Sequence, residues 1–203
     1  NSKTYYLPNW IDPVTIDPAT SNPHSYLVTG KFNLLYSGNV GDKQDWEFFL
    51  AFAKALSPQS FHITIVGAGA RFSWLQRQLQ QDNITYHDPI PYKDLSDLLC
   101  SADAHFLFQK VEVIDTVMPS KLLGMMASAR PSLVVGNPAS EVKTVLQKAQ
   151  AGSYLTDYNV DQAVAIVQSW KANKELCKEM GQSARAYVIR YFSKEHILSQ
   201  WIQ

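Results

Sequence analysis

Short apolar runs recur along the chain: Phe32–Tyr36, Phe61–Val66, Asn83–Tyr86, Ala104–Phe108 and Pro131–Val135, with a last short one at Ser153–Leu155. They are mostly apolar from end to end instead of alternating, the pattern of strands covered on both faces. Between them the apolar residues fall every three or four positions. Trp46, Phe48, Phe49, Phe52, Ala53 and Leu56 form one such stripe, which predicts an amphipathic helix. The same periodicity predicts helices at Arg71–Gln80, Tyr92–Ser101, Glu141–Gln150, Val160–Ala172, Lys174–Gly181, Gln182–Tyr191 and Lys194–Gln203, and another opening near Ser120. Strands alternating with helices predict an α/β fold, a doubly wound parallel sheet with helices on both faces.

Ahead of the first strand, residues 1–30 carry Pro8, Pro13, Pro18 and Pro23 among Asn and Asp turn residues. That composition reads as an irregular, extended lead-in of the kind that connects domains. Residues 31–181 then form the domain, and 182–203 are helices that pack toward a further, N-terminal domain. The chain begins at Asn1, so it is expected to be a piece of a longer protein. Charge adds little: 18 basic residues balance 18 acidic ones, which is not the footprint of a nucleic-acid binder. Cys100 and Cys177 stand far apart in helical contexts and read as small buried hydrophobes of a reducing compartment. No apolar run approaches the roughly 18 residues that span a bilayer. No signal peptide is visible either. The expected location is cytoplasmic, with peripheral association of the full-length protein at the inner face of the membrane.

The candidate chemistry lies where strands give way to helices. Ser37-Gly38-Asn39-Val40-Gly41-Asp42-Lys43 follows the first strand. Its glycines allow close backbone approach to a ligand, and Lys43 can reach a phosphate; an ordinary tight turn with a solvated lysine is the competing reading. Gly67-Ala68-Gly69-Ala70 follows the second strand, with Asp88 about 20 residues on, which suggests a dinucleotide site. Phe72 occupies the place of the third glycine, and the unit comes second in the domain, so a nicotinamide cofactor is disfavoured. Pro119-Ser120-Lys121 opens a helix just past the Ala104–Phe108 strand. Ser120 suits an N-cap or first-turn position, and the free N–H groups there, with Lys121, would receive an anion. His62, His87, His105 and His196 have no metal-ligand spacing, and His62 and His105 fall inside strands, as packed residues do. Glu112 and Asp115 share a loop and read as solvated acids. There is no nucleophile elbow and no Walker-type loop.

In order and spacing these segments resemble the C-terminal, donor-binding half of a GT-B fold glycosyltransferase, from the large retaining family that builds bacterial lipopolysaccharide, capsule and colanic acid. The branch most similar is that of colanic-acid and fucosamine-type transferases. The resemblance rests on Leu7–Asp12, Tyr36–Gly41, Ile65–Gly69, Leu98–Asp103 and, most specifically, Asp115–Leu122 running on to Met126–Pro131. It implies that residues 31–181 are a Rossmann-like domain binding a UDP- or GDP-sugar as substrate, with no cofactor and no metal. Gly38, Asn39, Gly41 and Lys43 would face the donor diphosphate, and Pro119, Ser120 and Lys121 would hold phosphate or sugar. Gly67 and the loop His87–Pro91 would lie near the nucleoside, and Glu141 near the donor side of the sheet. Many members carry two glutamates where this chain has Thr116 and Gly124, and an arginine where it has Asn39. Asp115 or Glu112 would then take over part of that role. The general base is expected in the N-terminal domain, so this chain alone would bind a nucleotide and transfer no sugar. Two alternatives stay open: a non-catalytic nucleotide-sugar binding module, and an NAD-dependent enzyme.

Overall fold

A computed structural model describes residues 9–114 and 118–199. Six strands form one sheet: β1 (Phe32–Ser37), β2 (Phe61–Val66), β3 (Ile84–His87), β4 (Ala104–Phe108), β5 (Ser132–Val135) and β6 (Gly152–Leu155). Their spatial order is β3-β2-β1-β4-β5-β6, and every neighbouring pair is parallel. The chain winds outward from β1 to one edge, then returns to β4 and winds to the other. The expected doubly wound α/β sheet is what forms, with its topological switch point between β1 and β4.

The two faces of the sheet differ, and the register shows why. Leu34 pairs with Ile63 and Ala104, and Tyr36 with Ile65, so this face is apolar and aromatic. The helix α1 (Trp46–Ala55) covers it, started by an Asp45 side chain that accepts from Phe48 N. Phe49 stacks on Phe106 with centroids 5.3 Å apart, and Phe48 and Phe52 both meet Phe108 edge-on. Asn33, His62, Thr64, Thr85 and His105 lie on the opposite face. The lead-in crosses part of that face without regular structure, so its backbone needs side-chain partners. Thr64 Oγ1 donates to Tyr26 O at 3.2 Å, and Asn33 Nδ2 donates to Val28 O at 3.0 Å.

Helices α2 (Phe72–Gln78), α3 (Leu95–Ser101, entered by a 3₁₀ turn at Tyr92–Asp94), α4 (Ser120–Ala127) and α5 (Glu141–Lys148) connect the later strands, and α6 (Val160–Ala172) follows the last one. One expectation fails. The predicted pair of helices meeting at Gly181 and Gln182 is a single helix, α7 (Lys174–Phe192), followed by α8 (Lys194–Ser199). Gly181 is a contact position, not a terminator. A Cβ there would lie 2.0 Å from Ala129 O, so the glycine lets α7 lie against the turn after α4. Arg185 on the same helix clips down the lead-in. Its guanidinium donates to Ile16 O and Ala127 O, both at 2.6 Å, and pairs with Asp17 at 3.1 Å. Ile11 then bridges to Ser193, which fixes residues 9–31 to the domain at both ends of α7's final turns.

Candidate functional site

The loops after β1 and β2 continue the ladder of their strands. Gly38 N donates to Val66 O and Val40 N to Ala68 O, both at 2.9 Å, and Arg71 N donates to Val40 O at 3.0 Å. A Cβ on Gly67 would sit 1.9 Å from Gly38 O, so the two loops touch backbone to backbone. The donors of Gly38 and Val40 are therefore spent inside the protein. Gly41 N turns to Gln44 Oε1 at 3.2 Å. The first loop supplies shape here, and only secondarily hydrogen bonds. The Asn39 side chain is folded between the loops, its Nδ2 against Gly41 and its Oδ1 against Gly69.

Beside this brace is a cleft of about 290 Å³ lined by Gly38, Asn39, Gly67, Pro89, Ile90 and Leu95. It brings together the first two loops and the loop after β3. His87 adds backbone only: its carbonyl accepts from Gly67 N at 2.9 Å, while its ring stacks on Tyr26 with centroids 3.6 Å apart. A larger groove of about 710 Å³ lies at the amino ends of the central strands, beside Lys31, Asp103 and Arg130. It is remote from every loop at the carboxyl ends of the strands, and Asp103 is committed to Asn33. We assign the chemistry to the smaller cleft.

From the other side of the switch point comes α4. Pro119 occupies the N-cap and Ser120 the first turn, with no side-chain cap. Ser120 thus takes the first-turn alternative of its two expected positions, and the N–H groups of Ser120 and Lys121 meet no acceptor among the described residues. The side chain of Lys121 reaches across to the first loop. Its Nζ donates to Tyr36 Oη at 2.5 Å and lies 3.8 Å from the centre of the Tyr36 ring. Tyr36 Oη in turn donates to Asn39 O at 2.5 Å. No carboxylate lies within ion-pair distance of Lys121 among the described residues. The side chain is half-buried as a whole, its amine end being the deep part, and burial lowers its pKa to about 7. Burial also pushes the Tyr36 phenol far up, so Tyr36 stays a neutral hydroxyl.

The other candidates spread around this centre. Lys43 is exposed, and its carbonyl accepts from Lys110 N at 3.0 Å, which sets two lysines side by side. Asp42 pairs with Arg71 at 2.6 Å, and that partner, with Lys110 adding a little, holds the carboxyl below its usual range. Glu141 opens α5 behind a Ser140 cap and is near enough to Tyr187 to help raise that phenol. It makes no hydrogen bond to the glycine loops. Asp115 and Thr116 lie outside the described residues. Gly124 faces Leu99 and Ile16, whose Cδ1 atoms are 3.4 and 3.7 Å from a Cβ built there. His62 and His105 are packed on Thr85 and Ser128. No group of three or more potential metal ligands occurs among the described residues, and no described helix is long and apolar enough to cross a membrane.

Sequence reasoning missed Tyr36, Arg71 and Lys110. Tyr36 passed as the last apolar residue of a strand, although a buried tyrosine hydroxyl needs a partner. Its position just ahead of a glycine loop was the available signal. Lys110 lies two residues past β4, and a cation at the carboxyl end of a central strand belongs with the ligand side of such sheets.

Residues 43–203 match the glycosyl transferase-like family. Over 180 residues the chain is 28% identical to a protein of Escherichia coli (strain K12) assigned to colanic acid biosynthesis as the glycosyl transferase WcaI, covering 87% of this chain and 43% of that one. The chain thus spans less than half the length of this relative. Among solved structures it resembles sucrose-phosphate synthase from Thermosynechococcus elongatus, with a TM-score of 0.80 at 15% identity over all of this chain and 52% of the other. It also resembles the Anabaena protein HepE in complex with UDP-glucose, with a TM-score of 0.71 at 13% identity over 84% and 47% of the respective chains. At such identities these structures establish the fold alone.

Proposed function

Because the chain belongs to the glycosyl transferase-like family, we propose that it is the half of a glycosyltransferase that receives the nucleotide-sugar donor, acting in the synthesis of a cell-surface polysaccharide. One observation carries this reading. Among the described residues, a lysine amine without a carboxylate partner, a helix start without a side-chain cap and two cross-braced glycine loops converge at the switch point of the sheet. That is where open α/β sheets take ligands, and both cation and helix start suit a diphosphate.

Glycosyl transfer breaks the bond from sugar to diphosphate, and negative charge grows on the leaving group as it does so. Groups fixed in advance at the place where charge develops lower that barrier most. Lys121 and the N–H groups of Ser120 and Lys121 serve that end of the donor, with Lys43 joining from the solvent side. The cleft between Gly67 and Pro89-Ile90 receives the base, which it contacts through backbone and apolar edges. UDP- or GDP-sugar is the substrate in this reading, with no cofactor, and the acceptor and general base come from a second domain.

A binding module without catalysis is the second reading. It is favoured by Gly124, a residue without a carboxylate that faces Leu99 and Ile16 where the resemblance places a ribose-binding glutamate. The nicotinamide alternative loses its footing, since the outer sides of Gly67 and Gly69 are closed by Gly38 O and Val40 O. Calorimetric titration with UDP, GDP and NAD tests all three. Saturable binding of UDP or GDP, weakened about tenfold or more in Lys121→Ala by loss of a charge-assisted hydrogen bond, supports the donor site. Binding of NAD alone would sink it.

A further inference from the structure

Lys121 and Tyr36 carry more than a place in a binding surface. An ammonium buried without a counter-ion is costly, and such a group sheds its proton instead. Among the described residues, the groups around Lys121 point to that state in the empty protein. β1 turns one titratable group toward it, the neutral phenol of Tyr36. The glycine loop turns Gly38 to it, 2.6 Å from Cε by a Cβ built there, and the loop's Asp42 is engaged by Arg71. Lys43 and Lys110 stand on adjoining loops, and neither shifts the amine; burial is the sole cause. On α4 itself Ser120 and Leu122 are uncharged.

Resting on the donor-site reading, we propose that Tyr36 and Lys121 act as one anion-receiving unit, in which Tyr36 positions the amine and the arriving diphosphate supplies the missing counter-charge, so that donor binding takes up one proton from solvent. The proton goes to Lys121 Nζ. Tyr36 keeps its own, donated to Asn39 O, and so can only accept from the amine; this fixes the direction of the Lys121 N–H groups. Tyr36 is a positioning residue, touching the donor only through Lys121.

A nucleotide sugar is the right probe, because each of its phosphates carries one ester and one anhydride linkage, leaving only strongly acidic hydroxyls that exchange no proton near neutrality. UDP-glucose and GDP-mannose are titrated into the chain by calorimetry between pH 6 and 9, in buffers of different ionisation enthalpy. Expected are an uptake approaching one proton above pH 7.5 and an affinity that falls about tenfold per pH unit beyond it. In Lys121→Met the affinity is low and flat with pH; in Lys121→Arg, always charged, it is flat whatever its level. Tyr36→Phe keeps the ring and the burial. It weakens binding about fivefold, the worth of one hydrogen bond, with proton uptake retained and Tm nearly unchanged. A purely structural Tyr36 would lower Tm and leave affinity alone.

The lysine side-chain carbon resonances of the free chain supply a reading that needs no donor. One Cε signal titrates near neutral pH and is missing in Lys121→Met. Saturable donor binding with a flat pH profile overturns the coupling and leaves the donor site standing. A neutral-range Cε signal with no binding of either sugar nucleotide overturns the donor site, and the coupling with it.

Discussion

Glycines around the site differ in what stands where their side chains would be, and that decides what replacing them does. At Gly67 the obstacle is backbone: a Cβ would come within 1.9 Å of Gly38 O. Gly67→Ala must pry the two loops apart, which costs about 1–3 kcal/mol by the usual scale of overpacking. At Gly38 the obstacle is the flexible end of Lys121, together with a backbone φ of 138°. Gly38→Ala carries roughly 1 kcal/mol of backbone strain and displaces the amine from Tyr36. Two measurements on both variants separate the cases. Urea denaturation gives the larger loss for Gly67→Ala, whereas nucleotide binding at equal folded fraction gives the larger loss for Gly38→Ala. Equal losses in both measurements would mean that Lys121 does not depend on the loop beneath it.

Among the elements, α7 gives the sharpest test, because a glycine in the middle of a helix allows two opposite expectations. Were Gly181 only a weak helix former, Gly181→Ala would stabilise the chain by about 1 kcal/mol. Its contact with Ala129 O at 2.0 Å from the built Cβ reverses the sign. We expect a loss of about 1–3 kcal/mol, or a Tm lower by roughly 2–12 °C for a domain of this size; a rise would refute the contact. The same helix holds the lead-in through Arg185. Removing its hydrogen bonds in Arg185→Met should therefore raise amide exchange at Ile11–Asp17 while leaving β1 and β4 protected. These cases also mark how far the sequence could be read. Strands such as Phe61–Val66 were legible because burial on both faces leaves an unbroken apolar run. Gly67 was set beside the loop His87–Pro91 by the family resemblance, and Gly38 joins them because all three loops emerge at the carboxyl ends of adjacent strands. Gly181 was misread because a lone glycine says only that room or freedom is needed, not which. Tyr36 and Lys121 stand 85 residues apart, and no local pattern announces a pair of that kind.

For the whole molecule, two buried basic groups predict how stability depends on pH, and the sign follows from which state binds more protons. His105 is fully packed and donates to or accepts from Ser128; burial, with Arg130 adding, pushes its pKa down to about 3. The unfolded chain binds a proton at this site near pH 6.5 and the folded chain does not, so stability is lost as pH falls from about 6.5 toward 3. The slope is at most about 1.4 kcal/mol per pH unit. Lys121 repeats this at higher pH. Its folded pKa of about 7 lies below the ordinary 10.5, so the unfolded chain holds one more proton between those values, and stability rises with pH across them. Tyr36, Tyr86 and Tyr158, all raised by burial, turn the curve over above about pH 10, where unfolded phenols ionise. The chain should thus be more stable at pH 9 than at pH 7, which urea midpoints across that range would measure. Lys121→Met should flatten this segment while leaving the acid limb of His105 in place. Donor affinity should run the other way over the same window, falling as pH rises, because the amine that relaxes the empty fold by losing its proton must regain it to meet a diphosphate. Opposite slopes of stability and affinity, both abolished by one substitution at Lys121, are the combination that a surface lysine or a phosphate titration cannot produce.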